Sequence, residues 1–142
     1  MKLVIDTNIL VASLSSKSKY HWIIQALRKG QFELCITSEI YLEYEEVLKQ
    51  KYNSIVADAF LNSLKELSNV LQIDVFYNWN LIEADTDDNK FADCAIAGNV
   101  DFLVTNDKHY NILNAIEFPQ VRVISLEKFS KLNNDENLFG VS

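Results

Sequence analysis

Glycine occurs three times and proline once in 142 residues, and this scarcity excludes whole classes of site. There is no G-x-x-x-x-G-K and no G-x-G-x-x-G, so the backbone cradles that common nucleotide-binding folds place around phosphates are absent. Cysteine is scarcer than the apolar content would allow: Cys35 and Cys94 stand alone in apolar surroundings, with no C-x-x-C pair and no histidine at zinc spacing. Both read as small core residues and not as metal ligands or disulfide halves. No apolar run approaches the ~18 to 20 residues of a membrane span, and the chain opens on a strand-like segment instead of a charged leader with an apolar stretch. The expectation is a cytoplasmic protein with no membrane segment. Basic residues are outnumbered, 13 Lys and Arg against 20 Asp and Glu for a net charge of -7, which argues against a surface that attracts nucleic acid everywhere. Internal repeats and low-complexity runs are missing too.

What is present is a chain 49% apolar, enough for one domain with a sizeable core. The expected domain covers residues 1–133, with a loose polar tail over 134–142. Leu3, Val4 and Ile5 form a short apolar run of the kind buried on both faces of a parallel sheet. Helices are expected over 9–14 and 18–29, the second punctuated by Gly30, followed by a strand at "FELCIT" (32–37). Ser38 is expected to cap a helix over 39–51, whose apolar face is Ile40, Tyr44, Val47 and Leu48. A further helix, 54–68, carries Ala57, Phe60, Leu61, Leu64 and Leu67 at helical spacing, and "NVLQID" reads as the next strand. Residues 75–87 have no clear period and are read as a loop. Asp88 is expected to start a helix through Ala97, with Phe91, Cys94, Ala95 and Gly98 on one face and Gly98 also as its C-terminal cap. Strand "DFLVT", a short helix over 108–115, strand "VRVIS" and a last helix over 126–132 complete the pattern. Strands apolar throughout and alternating with helices indicate an α/β/α sandwich around a mainly parallel sheet, in which chemistry collects at the carboxyl ends of the strands.

Acidic residues sit where that edge should be. Asp6 follows the first strand and Asp107 follows "FLVTN", each with a threonine and an asparagine nearby. Either aspartate alone is as readily explained as a helix cap. On the helix from Ser38, Glu43 lies roughly 75° from the centre of the apolar face, nearer than Glu39, Glu45 or Glu46. Asp88 lies about 70° from the apolar centre of its own helix, at an N-terminal turn where a carboxylate also meets free N–H groups. Two carboxylates about 4 Å apart repel by about 4 kcal/mol at an effective dielectric of 20, so four converging acids require a counterion. Oxygen ligands without histidine or cysteine at metal spacing point to Mg²⁺ or Mn²⁺, which activate water and neutralise charge on a phosphoryl group.

The motifs "LVIDTNIL", "SEIYLEYEEVL", "DTDDNKFADCAIAGNVDFLVTND" and "VRVISLEKF", in this order over nearly the entire chain, resemble the PIN-domain family. They are most similar to its branch of bacterial toxin–antitoxin toxins related to VapC. The resemblance implies a metal-dependent endoribonuclease with an acidic quartet on Asp6, Glu43, Asp88 and Asp107, an RNA substrate, an antitoxin partner and a homodimer. It also implies that Asn8 and Thr105 orient the acids. Asp93 matches an acidic position common in that branch, although a helical wheel puts it about 150° from the apolar face and so equally in solvent.

Four of the excess negative charges belong to the implied ligands themselves. Lys17, Lys19, Arg28, Lys29, Lys49, Lys51 and Lys108 are available for phosphate contacts, against the default of a solvated helix face. His21 and His109 are too few and scattered for a general-base argument and read as surface or turn residues. Tyr20, Trp22, Tyr41 and Tyr44 at helical spacing read as core or dimer contacts ahead of base-stacking platforms. Two competing functions remain: a non-catalytic domain whose acidic cleft docks a basic segment of a partner protein, and a phosphotransfer domain with Asp6 as acceptor. The second is weakened by "DTN", which lacks an aspartate two residues after Asp6.

Overall fold

Lys2–Ile5 form β1, the central strand of a five-stranded sheet ordered β3-β2-β1-β4-β5. The computed structural model describes residues 1–134; of the polar tail expected over 134–142, all but Asn134 lies outside the described residues. The other strands are β2 (Glu33–Ile36), β3 (Val70–Gln72), β4 (Phe102–Val104) and β5 (Val123–Ile124), and every neighbouring pair is parallel. Successive residues of a strand point to opposite faces, yet Leu3, Val4 and Ile5 are all fully buried, as are Leu34, Cys35, Leu103 and Val104. Both faces of the sheet are therefore covered, and the molecule is a three-layer α/β/α sandwich.

The helices are α1 (Thr7–Ala12), α2 (His21–Arg28), α3 (Ser38–Lys51), α4 (Ser54–Glu66), α5 (Asn89–Ala97) and α6 (Leu126–Asn133). Several boundaries differ from the sequence expectation for local reasons. α3 begins at Ser38 itself, and Thr37 is its cap, accepting a hydrogen bond from the Ile40 N–H at 3.2 Å. α5 begins one residue after Asp88, because residues 86–88 form a 3₁₀ turn in which Asp85 accepts from the Asp87 N–H at 3.1 Å. Residues 108–115 are also 3₁₀ in geometry. Gly30 takes a positive φ of 74° after α2. Gly98 does not: its φ is -81°, and Asn99 is the left-handed residue at 49°. Space is tight at 98, where a Cβ would stand 3.1 Å from the Cys94 carbonyl oxygen and 3.3 Å from Cys35 Sγ. Both cysteines are free and buried, and burial pushes the Cys94 thiol up to about 12.

Residues 75–85 carry no regular element. They are tied down from the core: the Asp93 carboxylate accepts from the Trp79 N–H at 3.1 Å, and the Asn89 side chain makes two bonds to the Ile82 backbone. Asp93 is 5% exposed, which corrects the solvated position the helical wheel gave. The wheel counts only the apolar face turned to the sheet, and the 75–85 loop covers Asp93 on another side. Tyr44 is a core residue whose hydroxyl donates to the Ile5 carbonyl at 2.7 Å, pinning α3 against the carboxyl end of β1.

Candidate metal centre at the carboxyl edge of the sheet

The strand order 3-2-1-4-5 reverses direction at β1, so a crevice opens between the loops that follow β1 and β4. Asp6 and Asp107 are the residues that stand there. Asp6 precedes α1 but makes no side-chain cap bond; its Oδ2 accepts instead from the Thr105 hydroxyl at 2.8 Å. Thr105, 3% exposed, in turn accepts from the Asp107 N–H at 3.0 Å, so one threonine spaces the two acids. Asp107 does cap the 3₁₀ turn after it, accepting from the His109 N–H at 2.9 Å. Asp6, Asn8, Asn106 and Asp107 line a cavity of about 400 Å³. Asn8 is exposed there and makes no side-chain hydrogen bond among the described residues.

Glu43 reaches the crevice from α3. One carboxylate oxygen accepts from the Thr7 hydroxyl, and the other is 2.6 Å from Lys90 Nζ. Lys90 also lies 3.2 Å from Asp87 and is itself mostly buried. Burial works against its ammonium, but Glu43 and Asp87 outweigh it and hold the lysine above its ordinary value. Asp88 makes no cap bond for α5. Its Oδ2 is buried, as is the hydroxyl of Tyr110, a residue 1% exposed. The two atoms are neighbours, and the Tyr110 hydroxyl acts on the Asp88 carboxylate as a hydrogen-bond donor that favours its charged form. His109 Nδ1 stands 3.7 Å from Asp88 Oδ2 and 3.5 Å from Asp107 Oδ1.

These acids feel one another. Burial raises the Asp6 carboxyl above the usual range, and the charges of Glu43 and Asp107 raise it further against the lowering effect of Thr105. Burial likewise raises Asp88, with Asp85, Asp107 and Asp6 adding to it and Tyr110 opposing. Asp6, Glu43, Asp88 and Asp107 therefore share one electrostatic neighbourhood although they come from four separate stretches of chain. Asp93 stands apart: its Coulombic partner is Glu39, and with Glu39, Asp74 and Lys90 it lines a different cavity of about 260 Å³.

Among the described residues, one group of three acidic or imidazole side chains brings its ligand atoms within 4.8 Å of one another: Asp85, Asp88 and His109. Of the four ligands the resemblance implies, only Asp88 belongs to that trio. Asp85, Lys90 and Tyr110 are residues beside the site that the sequence reading did not single out; His109, read as a surface or turn residue, is half-exposed on the turn over 108–115 and stands near Asp88 and Asp107 from there. Two signals pointed to them: His109 follows Asp107 by two residues, and "DTDDNK" concentrates acids before a lysine. The donor set of carboxylates and one imidazole fits a divalent cation.

A parallel three-layer sandwich with a cleft of acids at its topological switch point defines the class of α/β protein to which this chain belongs. Residues 2–109 match the family model for the PIN domain, and the chain is a member of the PIN domain family. No curated protein matches it. Among solved structures it is similar to VapBC2 from Rickettsia felis bound to a DNA fragment from their promoter, with a TM-score of 0.60 over 88% of this chain and 98% of that one at 22% identity. That similarity is one of fold.

Proposed function

We propose that this protein is a metal-dependent endoribonuclease, the toxin of a toxin–antitoxin module, that hydrolyses RNA phosphodiester bonds with Mg²⁺ or Mn²⁺. The observation that carries this reading is the meeting of Asp6 and Asp107 on one threonine, Thr105 donating to the Asp6 carboxylate and accepting from the Asp107 N–H, where both acids line one cavity at the carboxyl edge of β1 and β4. Asp6, Glu43, Asp88 and Asp107 are the residues that would hold the ion, and a bound ion would lower the pKa of a coordinated water and neutralise charge on the phosphoryl group. Thr105 fixes the spacing of Asp6 and Asp107 through its two hydrogen bonds. Lys90 holds Glu43 toward the crevice and limits the net negative charge an incoming phosphate meets. With four acids in one cleft, Asp6→Asn is expected to reduce divalent-dependent RNA cleavage at least ~100-fold. Cleavage at the wild-type rate would remove Asp6 from the assignment.

A second reading, in which the acidic cleft acts by docking a partner's basic segment, is favoured by the Lys90–Glu43 pair. A lysine already seated on one of the acids shows that an ammonium group is accommodated in the cleft. VapBC2 of R. felis, the similar structure, is a two-component assembly on DNA, and an antitoxin is the partner this reading requires. The two readings separate when the purified protein, freed of any copurifying peptide, is assayed on RNA with each metal. A homodimer through the α3–α4 edge is supported by Leu42 and Ile55, 61% and 81% exposed. No described helix is long and apolar enough to cross a membrane.

A further inference from the structure

The cavity that holds Asp6 and Asp107 does not end at the acids. Tyr20, Asn106 and Leu126 line it, and the same three residues line a second cavity of about 750 Å³ between the start of α2 and α6. The two form one continuous groove, which leaves the acids and passes Trp22 to reach Lys19 and Lys131. Its charge reverses along the way. Asp6 and Asp107 stand at one end; at the other, two lysines share the wall with a single acid, Glu127, which lies 3.5 Å from Lys131 with both side chains largely in solvent. Lys19 is exposed and rests its Nζ 5.2 Å from the centre of the Tyr20 ring, a cation–π contact that orders a lysine without neutralising it. Tyr20 and Trp22 are half-buried, and Trp22 is braced from the core by Phe129, with ring centroids 5.1 Å apart. At the junction, the Asn106 side-chain oxygen accepts from the Leu126 N–H at 2.9 Å. The amide N–H groups of Asn106 make no hydrogen bond among the described residues and remain available as donors.

We infer, building on the proposed RNA hydrolysis, that this groove is the path by which a single strand reaches the acids, with unpaired bases stacked on Tyr20 and Trp22, phosphates on Lys19 and Lys131, and Asn106 bonding the nucleotide nearest the acids. Aromatic rings interleaved with separate cations suit unpaired nucleic acid, since every base has a π-face and every phosphate a charge. A duplex keeps its bases paired and stacked on one another, so the two rings offer it nothing. Cavities of ~300–1,000 Å³ enclose small ligands, and each half of the groove therefore takes a nucleotide and not a helix. A uniformly basic or uniformly acidic peptide matches only one end. An RNA strand matches both, because its phosphates pair with the lysines directly and with the acids through a divalent ion.

The chain contains two tryptophans, which supplies a local reporter. Trp79 lines a different cavity with Asp101 and Arg122, residues that precede β4 and β5 and so lie at the opposite edge of the parallel sheet. A single strand of six uridines is titrated into the full chain in Ca²⁺, an ion for oxygen ligands, while tryptophan emission is followed. Quenching is expected in the wild type and in Trp79→Phe, and is expected to vanish in Trp22→Phe. Lys19→Gln and Lys131→Gln are each expected to weaken binding ~3- to 10-fold and to lower the slope of log affinity against log salt by ~0.7. Lys65→Gln removes the same charge from an exposed lysine on α4 beside Tyr41 and is expected to change affinity less than ~2-fold. Tyr20→Leu is expected to weaken the strand at least ~5-fold, and a duplex RNA is expected to bind at least ~10-fold more weakly than the single strand. A strand that binds without quenching in Trp79→Phe, lysine losses no larger than that of Lys65→Gln, a duplex bound as tightly, or no binding at millimolar strand would each overturn the inference. Failure of the nuclease reading looks different. A strand held in the groove but never cut with Mg²⁺ or Mn²⁺ leaves this path standing, whereas cleavage at the wild-type rate in the Lys19, Lys131 and Tyr20 variants removes the path and keeps the chemistry.

Discussion

Asp6 is where burial and charge conflict most in this protein. Its carboxyl is raised by burial and by Glu43 and Asp107, and Asp88 and Asp93 are raised as well, each by burial first. A carboxyl whose folded value exceeds its unfolded value contributes stability below the unfolded value, and this contribution disappears as pH rises through the folded one. Without divalent ions, the three groups therefore favour the folded state increasingly as pH falls from 7 toward their raised values. Denaturant titrations in a chelator at pH 7 and pH 5 check the sign, and Asp6→Asn is expected to flatten the dependence and raise the pH 7 melting temperature by ~2–4 °C. A saturating divalent cation is expected to reverse that ranking. Asp93 has a different task. Asp93→Ala removes the acceptor for the Trp79 N–H and is expected to cost ~1–3 kcal/mol, with faster hydrogen exchange at Trp79 and its loop neighbours but not in β1.

At the level of elements, the site depends on turns that connect strands to helices. α3 must start at the right residue for Glu43 to reach Thr7 and Lys90, and Thr37 sets that start. Thr37→Ala is expected to lose ~1 kcal/mol of stability as measured by chemical denaturation, whereas Ser38→Ala changes it by less than ~0.5. This pair of variants tests the cap directly, since a Ser38 cap would give the opposite ranking. The helical periodicity of Ile40, Tyr44 and Leu48 was legible in the sequence because all three are buried on one face. The cap was not, because Thr37 and Ser38 are both good caps and only the backbone decides between them. The 3₁₀ turn before α5 was likewise hidden: a three-residue turn has no hydrophobic period, and its polar residues read equally well as loop or as first helical turn, whereas the eight residues of 108–115 were legible as a short helix and only their 3₁₀ geometry was not.

For the whole molecule, the surface carries both a crevice of acids and an apolar edge. Leu42 and Ile55 are exposed on α3 and α4, and Leu42 lines a partly apolar cavity with Tyr41, Leu64 and Val70. Exposed large apolar side chains beside an apolar cavity are candidates for an association surface. Light scattering is expected to give a dimer mass for the wild type and a monomer mass for the double substitution Leu42→Glu and Ile55→Glu, with secondary structure unchanged by circular dichroism. A monomer mass for the wild type would remove the homodimer.

The sequence by itself determined the sheet, because strands buried on both faces must be apolar throughout and the helices between them must each keep an apolar stripe. It also put Asp6 and Asp107 at strand ends, where a parallel sheet forces them to one edge. Only the tertiary structure decided which side chains meet there. Lys90 on Glu43, His109 between Asp88 and Asp107, and Asp93 beneath the 75–85 loop are contacts between segments far apart in the chain. Polar side chains carry no periodic signal that reveals such partners; their positions follow from how the turns close after the apolar core has packed.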